Sequence, residues 1–364
     1  MKVTASIKGI KYHVSCAENL SRILLNDLNI NNSPSHFLLI NQQNSYGVSK
    51  WVSPKRTRSY PFERIYNTLN SPKRITVIPI IKDEGAAGDR DFIQWDTISL
   101  MSLLDVYVIF GYYNTAKKSC LDNKITEQKF DNEYVKNKIN EISNYHSSAL
   151  HWNLNEIDNT LPNLIDSVKD AYSHLAKELG VQFHSSNGLE KFKKQFCDSV
   201  SEFMITSRNK AKEAQNRERQ TIQPKEFLTN NSKGTITISN YLGGIYYFTT
   251  DEMIIKDNEI HLIEGKHSIN SKLPSISDIK DGLLKMVLYC NLTDITVENI
   301  NYSAKPILKL TSTKIIGKII SGSSSQEINS FKLRNLLNSR NNLLVDNIFK
   351  EAQINGFEVV IEGV

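Results

Sequence analysis

Asp251 and the triplet Glu264-Gly265-Lys266 bracket a segment reading Glu-Met-Ile-Ile-Lys-Asp-Asn-Glu-Ile-His-Leu-Ile. An acid opens one predicted strand, Lys256–Asn258 make a tight turn, and the return strand ends in Glu-x-Lys. The two-residue period of a strand places Glu264 and Lys266 on one face, with Gly265 turned away. Asp251, at the adjacent strand end, converges on that face. Two carboxylates and an ammonium gathered at a sheet rim suit phosphodiester hydrolysis. Magnesium takes one or two carboxylates and keeps waters and phosphate oxygens, so Asp251, Glu264 and the Gly265 carbonyl are the expected metal ligands. The ion polarises the phosphoryl group and makes a bound water a better nucleophile. Lys266 would orient or deprotonate that water, or offset developing charge.

A [DE]xK triplet alone carries little information. Asp122–Lys124, Glu127–Lys129 and Asp278–Lys280 have the same form but fall in predicted polar helix or loop. Only Glu264-Gly265-Lys266 ends an apolar strand with a hairpin and an acid before it; the alternative is an edge hairpin with solvated charges. Gly244-Ile-Tyr-Tyr-Phe248 matches the first half of a GIY-YIG site, but no Arg occurs between Arg219 and Arg334 to complete it. His184 and His267 lack the partners of an HNH site. No GxxxxGK[ST] loop is present, so ATP is not expected as a partner.

Asp251, Glu264-Gly265-Lys266 and the helix and strand expected after them resemble the PD-(D/E)xK nuclease core, with Thr250 standing where the motif has proline. Within that superfamily the chain resembles type II restriction endonucleases. Segments Ser53–Arg64, Lys82–Thr97 and Tyr145–Trp152 add to this likeness. The resemblance implies a mixed α/β (α+β) fold with a restriction-endonuclease-like core, and Asp251, Glu264 and Lys266 as catalytic residues. It also implies Mg2+ as cofactor and double-stranded DNA as substrate, cut to leave a 5′-phosphate. Cleavage of both strands favours a homodimer facing a palindrome. A repair or recombination nuclease with the same core is the near alternative. A non-catalytic DNA-binding protein is the distant one, which would gain nothing from acids facing phosphate.

The rest of the chain sets bounds. The 364 residues suffice for two domains, and 40% hydrophobic with 23% charged residues is ordinary for a soluble protein. No apolar run reaches the ~18 residues of a membrane span, and the start has no secretory-type apolar run, so a cytoplasmic protein is expected. Cys16, Cys120, Cys197 and Cys290 are scattered, against zinc or a disulfide framework. The net charge of +5 permits a nucleic-acid partner without arguing for one.

Three zones are expected: an α/β DNA-recognition region at 1–118, a helical linker or clamp at 119–222, and the catalytic domain at 223–364. The first should hold strands at Arg74–Ile81 and Val106–Tyr113 around a helix with Trp95, Ile98, Met101 and Leu104 on one buried face. The second should hold helices at 127–143, 161–179 and 188–216. The third should hold strands at 235–239, 245–249, 253–255, 259–264, 293–298 and 306–319, helices at 279–290 and 328–352, and a final strand at 357–361. Lys50, Lys55, Arg56, Arg58 and Arg64, interleaved with Trp51, Tyr60 and Phe62, read as a DNA-facing loop or a solvated basic one. Lys82, Arg90 and Gln94 have the chemistry to read base edges. The acids around them (Asp83, Glu84, Asp89, Asp91, Asp96) suit capping and salt bridges better than a second metal site. The basic run at 191–219 is either a helix along the DNA backbone or a solvated face. Glu202 and Glu213 are weak candidates for an extra acid.

Overall fold

The computed structural model describes residues 2–54, 62–198, 203–205, 207–209, 212–213 and 234–364, with side chains omitted at 195–198. The chain forms two compact units rather than three zones: residues 19–209 in one, residues 1–18 with 210–364 in the other. The boundary expected near 118 is absent because the helices that follow it pack on strands that precede it. The first strand, β1 (Lys2–Ile7), belongs to the sheet of the second unit, a long-range pairing that no local pattern announces.

In the unit of residues 19–209, β2 (Arg22–Leu24), β3 (His36–Asn41), β4 (Asn44–Lys50), β5 (Lys73–Pro79) and β8 (Val106–Gly111) form a sheet in that order. Helix α1 (Phe62–Thr68) packs on β3 and β4. The strand expected to run to Ile81 stops at Pro79, which has no N–H to donate to a ladder. Beyond it, β6 (Ile81–Asp83) pairs instead with β7 (Arg90–Phe92). Helix α2 (Trp95–Leu103) is buried all round, including Asp96, Thr97, Ser99 and Ser102, because it packs against both β8 and a later helix. The strand expected to reach Tyr113 ends at Gly111, where a Cβ would fall 2.8 Å from the Phe130 ring. A hairpin follows, β9 (Tyr113–Lys118) with β10 (Ile125–Phe130), so the front of the helix expected at 127–143 is strand. Helix α3 (Asn132–Ser143) starts where the Asp131 side chain accepts the Tyr134 N–H. Its Val135, Ile139 and Ile142, with Trp152 of α4 (Ala149–Asn155), share one core with Phe37, Leu39, Val48, Ile75, Val77 and Ile109. Helix α5 (Leu161–Leu179) has the expected limits, set by Pro162 in its first turn and by Gly180 at φ 60° after its end. Helix α6 (Asn187–Asp198) packs on α5.

Among the described residues the other unit is built on a nine-stranded mixed sheet. Its main path runs β12 (Ile245–Thr250), β11 (Gly234–Asn240), β1, β15 (Thr293–Val297), β16 (Ile300–Ser312), β14 (Glu259–Ser268) and β13 (Glu252–Lys256). After β14, helix α7 (Ile276–Tyr289) crosses over, packing on β14 and β16, which lie parallel along all ten residues of β14. The long strand expected at 306–319 ends at Ser312, and residues 313–317, closing on Gly317 at φ 82°, separate it from β17 (Lys318–Ile320). The helix expected at 328–352 is two, α8 (Ser325–Arg334) and α9 (Ser339–Asn355). Between them Asn335 turns its side chain to the Ile316 backbone, 2.7 Å from its N–H, and Leu336 takes φ 45°. The last strand, β18 (Glu358–Gly363), lies parallel to β16 and pairs with β17. No helix among the described residues is long and apolar enough to cross a membrane.

Candidate active site

Strands β13 and β14 form the expected antiparallel hairpin, turning at Asp257, φ 53°, with Glu252 opposite Ile263. One further step of that register, beyond its last pair, would set Asp251 across from Glu264, and Asp251 feels the Glu264 charge. Directly opposed residues share a face, which brings the two carboxyls together. Asp251 stands at the exposed rim, and its Oδ2 accepts the Gly265 N–H at 2.8 Å. That N–H points past the end of β13, and the carbonyl of the same residue leaves the strand on the same side.

Glu264 is 1% exposed, yet both its oxygens are held. Lys266 reaches Oε1 at 3.0 Å, and Lys285 of α7 donates to Oε2 at 2.7 Å. Burial works against the Glu264 charge, but Lys285 and Lys266 outweigh it and keep the carboxyl below the ordinary glutamate range. Lys285 is pushed up in turn: burial opposes its charge, and the Glu264 carboxylate overrides the burial. Crowding by protein, then the Glu264 charge, raise Asp251, against the pull of Lys285 and the Gly265 N–H.

Lys285 was not among the residues singled out from sequence. A signal that could have drawn attention to this helix face is Gly282, a poor helix former in the middle of an apolar helix. A Cβ at Gly282 would fall 2.7 Å from Leu308 Cδ1 and 3.4 Å from Lys266 Cε. Its bareness lets α7 lie close on the sheet, and Lys285, three residues on, occupies the same helix face.

Among the described residues no three His, Cys, Asp or Glu side chains cluster as a metal site. A hard cation with few protein ligands needs less. Asp251 and Glu264, with the Gly265 carbonyl on the Asp251 side of the strand, match the donor set magnesium accepts. The residues therefore fit the ion, provided Glu264 can share an oxygen now held by an ammonium.

The other DNA-binding candidates lie in the unit of residues 19–209 or outside the described residues. Lys55, Arg56 and Arg58 lie outside the described residues, as do Glu202, Arg217 and Arg219. Lys50 points its ammonium at the backbone carbonyls of Ile30, Asn31 and Ser33, and burial, then nearby Arg64, lower its pKa to about 8. Arg64 donates to the Lys50 carbonyl at 2.6 Å and pairs with Glu63. Lys82 pairs with Glu84 at 2.8 Å. Arg90 donates to the Ser185 carbonyl at 2.9 Å and lies over the Phe92 ring. Gln94 precedes α2 without capping it, and its Oε1 is buried with no hydrogen bond. The acids nearby are engaged too: Asp83 accepts from His184 and from the Gly85 N–H, and Asp91 from Ser53. Lys50, Lys82 and Lys124 line a groove of about 400 Å³ beside Tyr113 and a strand bulge at Glu127, φ 49°. In the basic run, Lys193 pairs with Asp166 of α5. The first half of the GIY-YIG-like segment enters β12, where the Tyr246 hydroxyl is buried and accepts from Asn240.

No family model, no curated protein and no solved structure matches the chain.

Proposed function

We propose that this chain is a metal-dependent endonuclease of the PD-(D/E)xK type that hydrolyses double-stranded DNA, with restriction of foreign DNA as its role. The observation that supports this most is the hydrogen bond from the Gly265 N–H to Asp251, which holds that acid beside Glu264, with Lys266 paired to Glu264 two residues on. Asp251, Glu264 and the Gly265 carbonyl would hold Mg2+, which when bound supplies charge for the phosphoryl oxygens and a more acidic water. Lys266, one-fifth exposed, reaches from Glu264 toward solvent and is placed to orient the attacking water or donate to a phosphate oxygen. Lys285 helps keep Glu264 ionised, and the Gly265 N–H aims the Asp251 carboxyl. In this reading the unit of residues 19–209 supplies contacts to DNA outside the cleavage site, with Lys55, Arg56 and Arg58 as its phosphate-contacting cations and a homodimer as the working form.

Purified protein incubated with unmethylated phage DNA and Mg2+ or Mn2+ should give discrete fragments, and chelator should stop the reaction. Ca2+ should support binding without turnover, because its looser coordination misplaces the water. Full cleavage in excess chelator would rule the mechanism out.

A further inference from the structure

We infer that Lys285 is a positioning residue that couples cation binding at Asp251 and Glu264 to the arrival of a phosphodiester; the inference rests on the nuclease reading above. Sequence motifs of this kind supply one lysine for two acids, leaving a negative site that attracts a cation by itself. Here a second lysine enters from α7, and each oxygen of the buried Glu264 faces an ammonium, Lys266 at 3.0 Å and Lys285 at 2.7 Å. Two carboxylates and two ammoniums sum to zero. Lys280, on the same helix, does not alter that balance, since it is matched by Glu18 at 2.6 Å.

A divalent cation entering this group meets two obstacles. It must take an oxygen of Glu264 from a lysine, and it leaves a partly buried cluster with two uncompensated positive charges, an expensive arrangement. A DNA phosphodiester removes both. It brings negative charge, and its oxygens accept the hydrogen bonds of the displaced ammonium. Cation and DNA then raise each other's affinity by the same factor, as linkage requires. Gly282 lets α7 lie against Leu308 and Lys266, and this close seat is what brings Lys285 to Glu264.

Calorimetric titration of Ca2+ into the full chain, alone and with a short DNA duplex bound, tests this. Wild type should bind Ca2+ at least about tenfold more tightly with DNA than without. Lys285→Gln should bind Ca2+ alone about tenfold more tightly than wild type and lose most of the gain from DNA. Lys285→Arg should keep wild-type coupling, and Lys256→Gln, at the exposed hairpin turn, should change nothing. Equal Ca2+ affinity of wild type with and without DNA overturns the inference, whatever the variants do. A Lys285→Gln protein with a wild-type circular dichroism spectrum and unchanged Ca2+ affinity overturns it as well. Asp251→Asn separates the two levels. If it abolishes Ca2+ binding while Lys285→Gln has no effect, the nuclease site stands and Lys285 loses its role. If Asp251→Asn binds Ca2+ as wild type does, both readings fall.

Discussion

Glu156 and Glu264 are both buried carboxylates held by lysine, one in each unit, and their surroundings drive them in opposite directions. Glu156, 2% exposed, takes Lys138 at 3.0 Å and the Thr160 hydroxyl at 3.1 Å on one oxygen, and its other oxygen has no hydrogen bond. Lys138 is shared with Glu141 at 2.8 Å, so two acids divide one cation. Burial raises the Glu156 pKa and Lys138 only partly offsets it. Around Glu264 the ratio is reversed, two cations to one buried acid, and the carboxyl is lowered. The first arrangement joins α3 to the π-helical turn at Glu156–Thr160 that follows α4, and its second acid, Glu141, is half exposed. The second ends at an exposed acid, Asp251, beside a backbone N–H free of the ladder. Burial of a charge is therefore a poor guide by itself; the ratio of cations to acids sets the two carboxyls apart.

The largest expected effect breaks the second arrangement. Glu264→Ala or Lys266→Ala should abolish DNA cleavage, a loss on the order of 3 kcal/mol or more of transition-state stabilisation, with DNA binding within a few-fold of wild type. Near-normal cleavage by either variant would remove the site. Lys138→Met should leave cleavage chemistry alone and destabilise the unit of residues 19–209 by about 3 kcal/mol, since it strands a buried carboxylate. Urea unfolding followed by limited proteolysis assigns the loss to its unit. Gly282→Ala comes next. It should cut the cleavage rate by about 1–2 kcal/mol through Leu308 and Lys266, more than it alters stability, because alanine also improves the helix by about 1 kcal/mol. A rate equal to wild type would show that α7 can shift without moving Lys266.

The smallest effect is one of sign. Glu264, depressed in the folded protein, contributes stability that is present above its unfolded pKa and is lost as pH falls through the lower folded value. Glu156, raised, does the reverse: its contribution is present below the unfolded pKa and lost as pH rises through the folded one. Relative to wild type, Glu264→Gln should gain stability on acidification and Glu156→Gln should lose it. Parallel denaturation series at several pH values check whether the two differences run in opposite directions.

Much of the site could be read from the chain because its geometry is local. The turn at Asp257 and strict alternation along β14 suffice to face Glu264 and Lys266 together and to set Asp251 beside them. Helix α5 was legible for the same reason, with Pro162 and Gly180 as markers. What escaped is non-local. Lys285 meets Glu264 across a crossover, and a glycine in a helix says only that something lies close, not what. The amphipathic pattern of α2 showed one buried face, whereas in the fold β8, α4, Phe203 and Ser207 all pack on this helix and leave it buried all round. Glu127–Phe130 has a polar composition suited to helix, yet pairing with β9 makes it strand.

The place of β1 in the sheet has a consequence for how the molecule is made. Val3, Ala5 and Ile7 are buried between β11 and β15, near the middle of the strand order, yet both neighbours come from residues beyond 233. During synthesis at about 5–20 residues per second, β1 leaves the ribosome tens of seconds before either partner exists. Among the described residues, every strand of the sheets in the unit of residues 19–209 comes from that unit, which can complete them in that interval. For the same period β1 is an apolar, unpaired strand, the kind of edge that joins other chains. Its capture by β11 is then a late closing event over a very long loop, which the already folded insert shortens in effect. A fusion placed at the amino terminus would act on this step, and so on the yield of folded protein, well before it touched any chemistry at Glu264.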